Sequence, residues 1–258
     1  MSVFHRPRHL LAHAVRVGRF GDGPFQQSRT AAWYLLLPLK KRMPGLNRRT
    51  VTLQLRIGHE PRRLAFSDRS ELIAFEEIFC DGEYSWAVRQ PPRVIIDGGA
   101  NIGASVLWFR AQYPSARIIA LEPDPRTFIK LAHTLSGVAN IELVPWALAA
   151  EDGTVTVVQR DRSWGSHVVA GAGPGPRVRG ITLGELMREK GLDAVDLLKL
   201  DIEGAEWGVL PAATQLARDV LVELHGDDRV ARLEELNDAE LGATVTWLSD
   251  RVAHLARL

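Results

Sequence analysis

The sequence predicts an α/β fold: a doubly wound, mostly parallel sheet with an N-terminal appendage and a β-rich insertion. Three observations predict it. From residue 93 to residue 144, apolar runs of strand length alternate with helical patterns. The resulting βαβαβ order implies parallel strands joined by right-handed crossovers. Val94-Ile95-Ile96-Asp97-Gly98-Gly99-Ala100-Asn101-Ile102-Gly103 runs from a continuous apolar strand through an acid into a glycine-rich turn. Such a strand is covered on both faces, as in a parallel sheet. Finally, 258 residues with 46% hydrophobic and 24% charged side chains suit one large domain plus an appendage.

Taken in order, the appendage occupies residues 1–70 and the main domain 71–258, the change of pattern falling between 60 and 92. Ala31 to Leu39 reads as a helix packed on the domain or a partner. Val51, Leu53, Leu55 and Ile57 alternate with polar residues, predicting a strand with one wet face; Gly58-His59-Glu60-Pro61 turns it into a second strand near 62–66. Ser70 caps a helix over 71–79. Strands follow at 93–97, 117–121 and 141–144, with helices at 102–112 and 125–135. Pro114 ends the first helix and Pro125 sits in the first turn of the second. Residues 153–181, with the β-branched run Thr154 to Val158 and a Gly/Pro-rich loop from Gly171 to Pro176, form the insertion. Val195 to Leu200 and Asp219 to Leu224 supply two more strands.

Charge and cysteine usage bound the setting. Residues 1–50 hold ten Lys/Arg against the single acid Asp22, and the remainder 22 against 30, so +9 and −8 sum to the net +1. A basic arm on an acidic body suits contact with anionic lipid, a partner chain or the body itself. A homo-oligomer fits as well. Cys80 is the only cysteine, which excludes an internal disulfide and favours a reducing, cytoplasmic compartment. The longest apolar run, Ala31 to Leu39, is about half of what a bilayer needs. The cluster Lys40-Lys41-Arg42 follows it, as in a peripheral membrane contact rather than a signal peptide.

The glycine turn carries the first chemistry. Hydride-transfer proteins use G-x-G-x-x-G around a pyrophosphate. Here Asp97 stands directly before the turn and the spacing is Asp97-x-Gly99-x-x-x-Gly103. A carboxylate there repels phosphate and attracts a cation. The strand Arg117 to Leu121 ends in Glu122, placed at its tip to bind ribose hydroxyls. These residues favour S-adenosyl-L-methionine, a phosphate-free adenosyl cation, over a nicotinamide or flavin, or over a turn that binds nothing.

A second constellation lies on the same rim, because ligands in doubly wound sheets bind beyond the carboxyl ends of the strands. The strand ending at Leu200 leads into Asp201-Ile202-Glu203-Gly204-Ala205-Glu206, and the next into Glu223-Leu224-His225. Asp201 is a candidate catalytic group at a strand tip, whereas Glu206 suits a helix first turn without a catalytic role. A neutral His225 imidazole can accept a hydroxyl proton. No P-loop, paired cysteines, H-E-x-x-H or G-x-S-x-G elbow is present. Asp201, Asp227 and Asp228 offer hard oxygens, but the signal is weak and no metal site is assigned.

Ile96 to Gly103, Glu122-Pro123-Asp124-Pro125, Leu198-Lys199-Leu200-Asp201-Ile202-Glu203-Gly204-Ala205-Glu206 and Glu223-x-His225 together resemble the FkbM-type methyltransferases, over about residues 71–228. Asn140, Pro145-Trp146-Ala147-Leu148 and Asp152-Gly153 agree. The chain departs at Thr182-Leu183-Gly184, where an acid usually follows the leucine, a change expected to affect helix capping. The resemblance implies a Rossmann-like methyltransferase sheet and S-adenosylmethionine-dependent O-methylation of sugar or natural-product hydroxyls. On that reading Gly98, Gly99, Ala100 and Gly103 bring backbone to the methionine part, with Asp97 and Asn101 near its polar end. Glu122 and Pro123 face the ribose, Trp146 and Ala147 border the adenine, and Tyr84 covers the methionine. Asp201 lies on both the donor and the acceptor side. His225 or Asp201 takes the hydroxyl proton, with Glu223 orienting the imidazole and Glu203 beside them. A nucleic-acid methyltransferase and a non-catalytic cofactor-binding protein are the alternatives, though the acidic body argues against a nucleic-acid partner.

Overall fold

The computed structural model describes residues 7–36, 50–86, 90–158, 167–171 and 173–257. Lys40, Lys41 and Arg42 lie outside them. The chain divides into two compact units, Met1–Gly82 and Glu83–Leu258. The division falls within the 60–92 interval, and the helix that follows the hairpin packs with the first unit.

In the first unit, helices α1 (Pro7–Gly18) and α2 (Pro24–Leu36) precede the hairpin β1 (Val51–Ile57) and β2 (Glu60–Phe66), paired antiparallel from Val51↔Phe66 to Ile57↔Glu60. The alternation holds: Val51, Leu53, Leu55 and Ile57 are buried while Thr52 and Arg56 are exposed. Helix α3 (Arg69–Glu76) continues into a wider turn over Glu77–Asp81. Its cap is Asp68, not Ser70. The Asp68 carboxylate accepts the Ser70 and Glu71 amides at 2.8 and 3.3 Å, and a carboxylate reaches two orphan amides where a serine hydroxyl reaches one. Phe66 and Phe75 meet edge to face at 6.2 Å. The carboxylate of buried Glu76 receives Tyr34 and His13.

The second unit is built on a seven-stranded sheet. In chain order its strands are β3 (Val94–Gly98), β4 (Arg117–Leu121), β5 (Ile141–Val144), β10 (Val195–Leu200), β11 (Ala217–Glu223), β12 (Thr244–Trp247) and β13 (Val252–Ala256). In space the order is β12-β13-β11-β10-β3-β4-β5. β13 runs antiparallel to both neighbours and the rest are parallel. The chain moves outward from β3 through β4 to β5, then returns to the other side of β3 with β10, so the topological switch lies between β3 and β10. Helices α4 (Ala104–Gln112), α5 (Pro125–Thr134), α6 (Leu183–Lys190), α7 (Glu206–Leu216) and α8 (Arg229–Leu236) complete the layers. Ile95, Ile96, Ile118, Ile119, Leu198 and Leu200 are wholly buried, as strands covered on both faces must be.

The insertion folds into its own sheet of β6 (Ala147–Leu148), β7 (Gly153–Val158), β8 (His167–Ala170) and β9 (Arg177–Ile181), ordered β6-β9-β7-β8. Capping of α6 is intact despite the Gly184 departure. Thr182 Oγ1 accepts the Glu185 amide at 3.2 Å, and Asp152 holds the Thr182 amide at 2.8 Å. Among the described residues no helix is long and apolar enough to cross a membrane.

Candidate functional site

The site forms at the carboxyl ends of β3, β4, β10 and β11, beside the switch between β3 and β10. The β3 turn folds back on β4: the Gly99 and Ala100 amides both donate to Leu121 O, at 3.0 and 2.9 Å. The Asn101 amide donates to Glu122 Oε2 at 3.0 Å. Three successive amides are thus committed within the chain. Gly99 has φ +77°, and a Cβ there would lie 1.9 Å from Asp201 O. Its glycine is required first by the crossing of the β3 and β10 loops. Gly103, at φ +94°, would press a Cβ to 3.0 Å from Leu131, so it seats α4 on α5.

Beneath this turn lies a buried ion network that the sequence reading did not assign. Lys199, 2% exposed and next to last in β10, donates to Gly99 O at 2.7 Å. Its Nζ lies 3.2 Å from Asp97 Oδ1 and 3.5 Å from Asp201 Oδ2. The Asp97 contact is an ion pair without hydrogen-bond alignment. The other Asp97 oxygen accepts the Ser105 hydroxyl at 2.6 Å. Burial alone would lower the lysine pKa; the charges of Asp97 and Asp201 outweigh it and hold the ammonium above its ordinary value. Asp97 is completely buried and faces an internal cation. The signal was present: a lysine between Leu198 and Leu200 in a strand covered on both faces must find acids.

Glu122 is also buried. Its two oxygens accept the Asn101 and Asp124 amides at 3.0 and 2.8 Å, which aims the carboxylate along the β4 tip. Burial raises its pKa to about 7 against the pull of those amides. Beside it, Asn101 takes φ +48°, and its Oδ1 is buried without a hydrogen-bond partner among the described residues. A paired-acceptor carboxylate next to an orphaned amide oxygen fits a ligand bearing hydroxyl and ammonium donors.

On the β10–β11 side, the loop Asp201 to Ala205 is clamped by the wholly buried Glu206. Its carboxylate accepts the Ile202 amide at 3.0 Å and the Gly204 amide at 2.8 Å, and pairs with His225 Nδ1 at 3.0 Å. Glu203, held at φ +55°, places Oε2 3.6 Å from His225 Nε2. Glu206 therefore orients the imidazole, a role expected for Glu223. Glu223 instead pairs with Arg251 at 2.9 Å. One ligand atom each from Asp201, Glu223 and His225 lie within 4.8 Å of one another. Asp227 and Asp228 are exposed and stand outside that group.

Electrostatics separate these groups. Burial, then the charge of Asp201, raises Glu223 to about 8, with Arg251 opposing. Burial would lower His225, but the hydrogen bond and charge of Glu206, followed by Asp201 and Glu203, raise it to about 9. Tyr84 is 3% exposed and stacks on Phe109 at 5.9 Å. Burial, then Asp201 and Glu223, push its phenol well above the usual value. Trp146 has its ring under Arg179 and Lys190, 4.5 and 5.2 Å from the cations, and Ala147 pairs with Gly180. Both are thereby tied to the small sheet. Pro123 is partly buried between Glu122 and Asp124.

A doubly wound sheet with a glycine turn, a buried strand-tip carboxylate and an acid–imidazole cluster on one rim is the architecture of the S-adenosylmethionine-dependent methyltransferase class, to which the family match assigns the chain. Residues 97–242 match the profile of the methyltransferase FkbM domain, and the chain belongs to that family. Methyltransferase sdnD of Sordaria araneosa is 27% identical over 206 residues, covering 64% of this chain and 80% of that protein. Methyltransferase 1 of Beauveria bassiana is 27% identical over 177 residues, covering 58% and 71% respectively. Among solved structures, Aeropyrum pernix fibrillarin with natively bound S-adenosyl-L-methionine matches at 12% identity and a TM-score of 0.42, over 82% of this chain and 100% of that one.

Proposed function

We propose that the protein transfers the methyl group of S-adenosylmethionine to a hydroxyl oxygen of a sugar or natural product. One observation supports this above the others: the turn that would hold the donor and the cluster that would hold a hydroxyl are in contact, Gly99 lying against Asp201 O. Donor and acceptor are then neighbours by construction, and alignment supplies most of the rate enhancement. The bound sulfonium supplies an activated methyl and a neutral leaving group.

The chain's own residues do the rest. Glu122 accepts the two ribose hydroxyls, and the Asn101 Oδ1 accepts a donor N–H. Tyr84, packed on Phe109, excludes water from the methionine side. The acceptor hydroxyl enters among Asp201, Glu203, Glu223 and His225. As its oxygen bonds to the methyl carbon and the carbon–sulfur bond breaks, its proton leaves through this carboxylate-rich cluster.

Calorimetry with S-adenosylhomocysteine, then a screen of glycosides, lipid-linked sugars and phenols for labelled methyl uptake, tests the reading. Uptake confined to amines or nucleic acid would refute it. Replacing His225 with Gln is expected to leave S-adenosylhomocysteine affinity within about twofold and to lower turnover by about 10²-fold or more.

A further inference from the structure

We infer that Asp201, Glu223 and His225 form a divalent-cation site, of the kind that accepts both carboxylate oxygen and imidazole, at the acceptor end of the pocket. The spacing suits an ion. Ligand atoms within 4.8 Å of one another need only a small contraction to meet bonds of about 2.0–2.5 Å.

Each ligand is also held from behind, as ligands of a metal commonly are. Lys199 Nζ stands 3.5 Å from Asp201 Oδ2. Arg251 Nη1 lies 2.9 Å from Glu223 Oε1. Glu206 Oε1 takes His225 Nδ1 at 3.0 Å, leaving Nε2 as the ligating nitrogen. A carboxylate behind an imidazole sets both ring orientation and tautomer for coordination.

A separate feature points the same way. The Tyr84 side chain is almost wholly buried and makes none of the hydrogen bonds found among the described residues. The charges it feels most strongly are those of Asp201 and Glu223. A hydrated cation in the cluster would give the Tyr84 hydroxyl a water to bind. Mixed nitrogen and oxygen donors suit Mn²⁺ better than Ca²⁺.

The role of such an ion, receiving the acceptor oxygen, rests on the O-methylation reading; the binding itself does not. The test is Mn²⁺ titration of the full-length protein, followed by loss of the free-ion electron paramagnetic resonance signal. One site is expected, weakened at least tenfold by Glu223→Gln and by His225→Ala, with S-adenosylhomocysteine affinity kept as the check on folding. Retained Mn²⁺ affinity in both variants, or no binding at millimolar Mn²⁺, overturns the site. Mn²⁺ bound without hydroxyl methylation would sink the proposed function and leave the site standing. Methylation unaffected by chelator in a protein that binds no Mn²⁺ does the reverse.

Discussion

Lys199→Met isolates the buried network beneath the donor turn. At 3.2 Å from Asp97, an ion pair is worth about 5 kcal/mol at an effective dielectric near 20. Its removal strands a carboxylate that is 0% exposed and keeps the Ser105 hydroxyl at 2.6 Å. It also removes the 2.7 Å hydrogen bond to Gly99 O. Breaking a buried pair from one side typically costs about 3–5 kcal/mol, a large part of the roughly 5–15 kcal/mol that holds a domain together. Equilibrium urea unfolding, followed by tryptophan fluorescence, should therefore show a loss of unfolding free energy of that size. The double variant Asp97→Asn with Lys199→Met should recover at least about 1 kcal/mol, since the wholly buried Asp97 charge is then no longer stranded. A loss under about 1 kcal/mol in the single variant, with no coupling in the double, would show that the network is not held by this pair.

Other outcomes follow from the same geometry. Gly99→Ala places a Cβ 1.9 Å from Asp201 O at φ +77°; beyond the roughly 1–2 kcal/mol of left-handed backbone strain, the loops must separate, so a thermal midpoint near that of the parent would contradict the crossing. Glu206→Ala frees the Ile202 and Gly204 amides and should cost about 2–5 kcal/mol, read by urea unfolding; a change under about 0.5 kcal/mol would remove the clamp. Glu122, raised to about 7 by burial, must be ionised to accept a diol. S-Adenosylhomocysteine affinity should thus climb up to about tenfold per unit as pH rises toward 7 and level off above 8, and a flat profile in calorimetry would dissociate Glu122 from the ribose. The stability sign is opposite. The folded value lies above the ordinary 4.5, so the contribution is complete below about 4.5 and lost as pH rises through 7. Glu122→Gln should remove that loss, at most about 3 kcal/mol.

The order of β3, α4, β4, α5 and β5 was legible because apolar runs and punctuating prolines act locally. The same is true of the strand tips at Asp97, Glu122, Asp201 and His225, since a parallel sheet puts every carboxyl end on one rim. The C-terminal pair β12 and β13 was not anticipated. Its four- and five-residue strands are specified by pairing with β11, not by a periodic pattern of their own. The division between the units, after Gly82, falls inside the 60–92 interval read from the sequence, and α3 reads alike whichever body it packs on.

Sequence alone determined the architecture, the family motifs and the kind of donor, because these depend on periodicity and on which residue types stand at the ends of strands. Tertiary structure decided the partnerships: Asp97 with Lys199, His225 with Glu206 and Glu223 with Arg251. Carboxylates look interchangeable along a chain. Which one meets which cation depends on contacts such as that of Arg251, near the start of β13, with Glu223 at the end of β11, and only the folded sheet brings such residues within hydrogen-bonding reach.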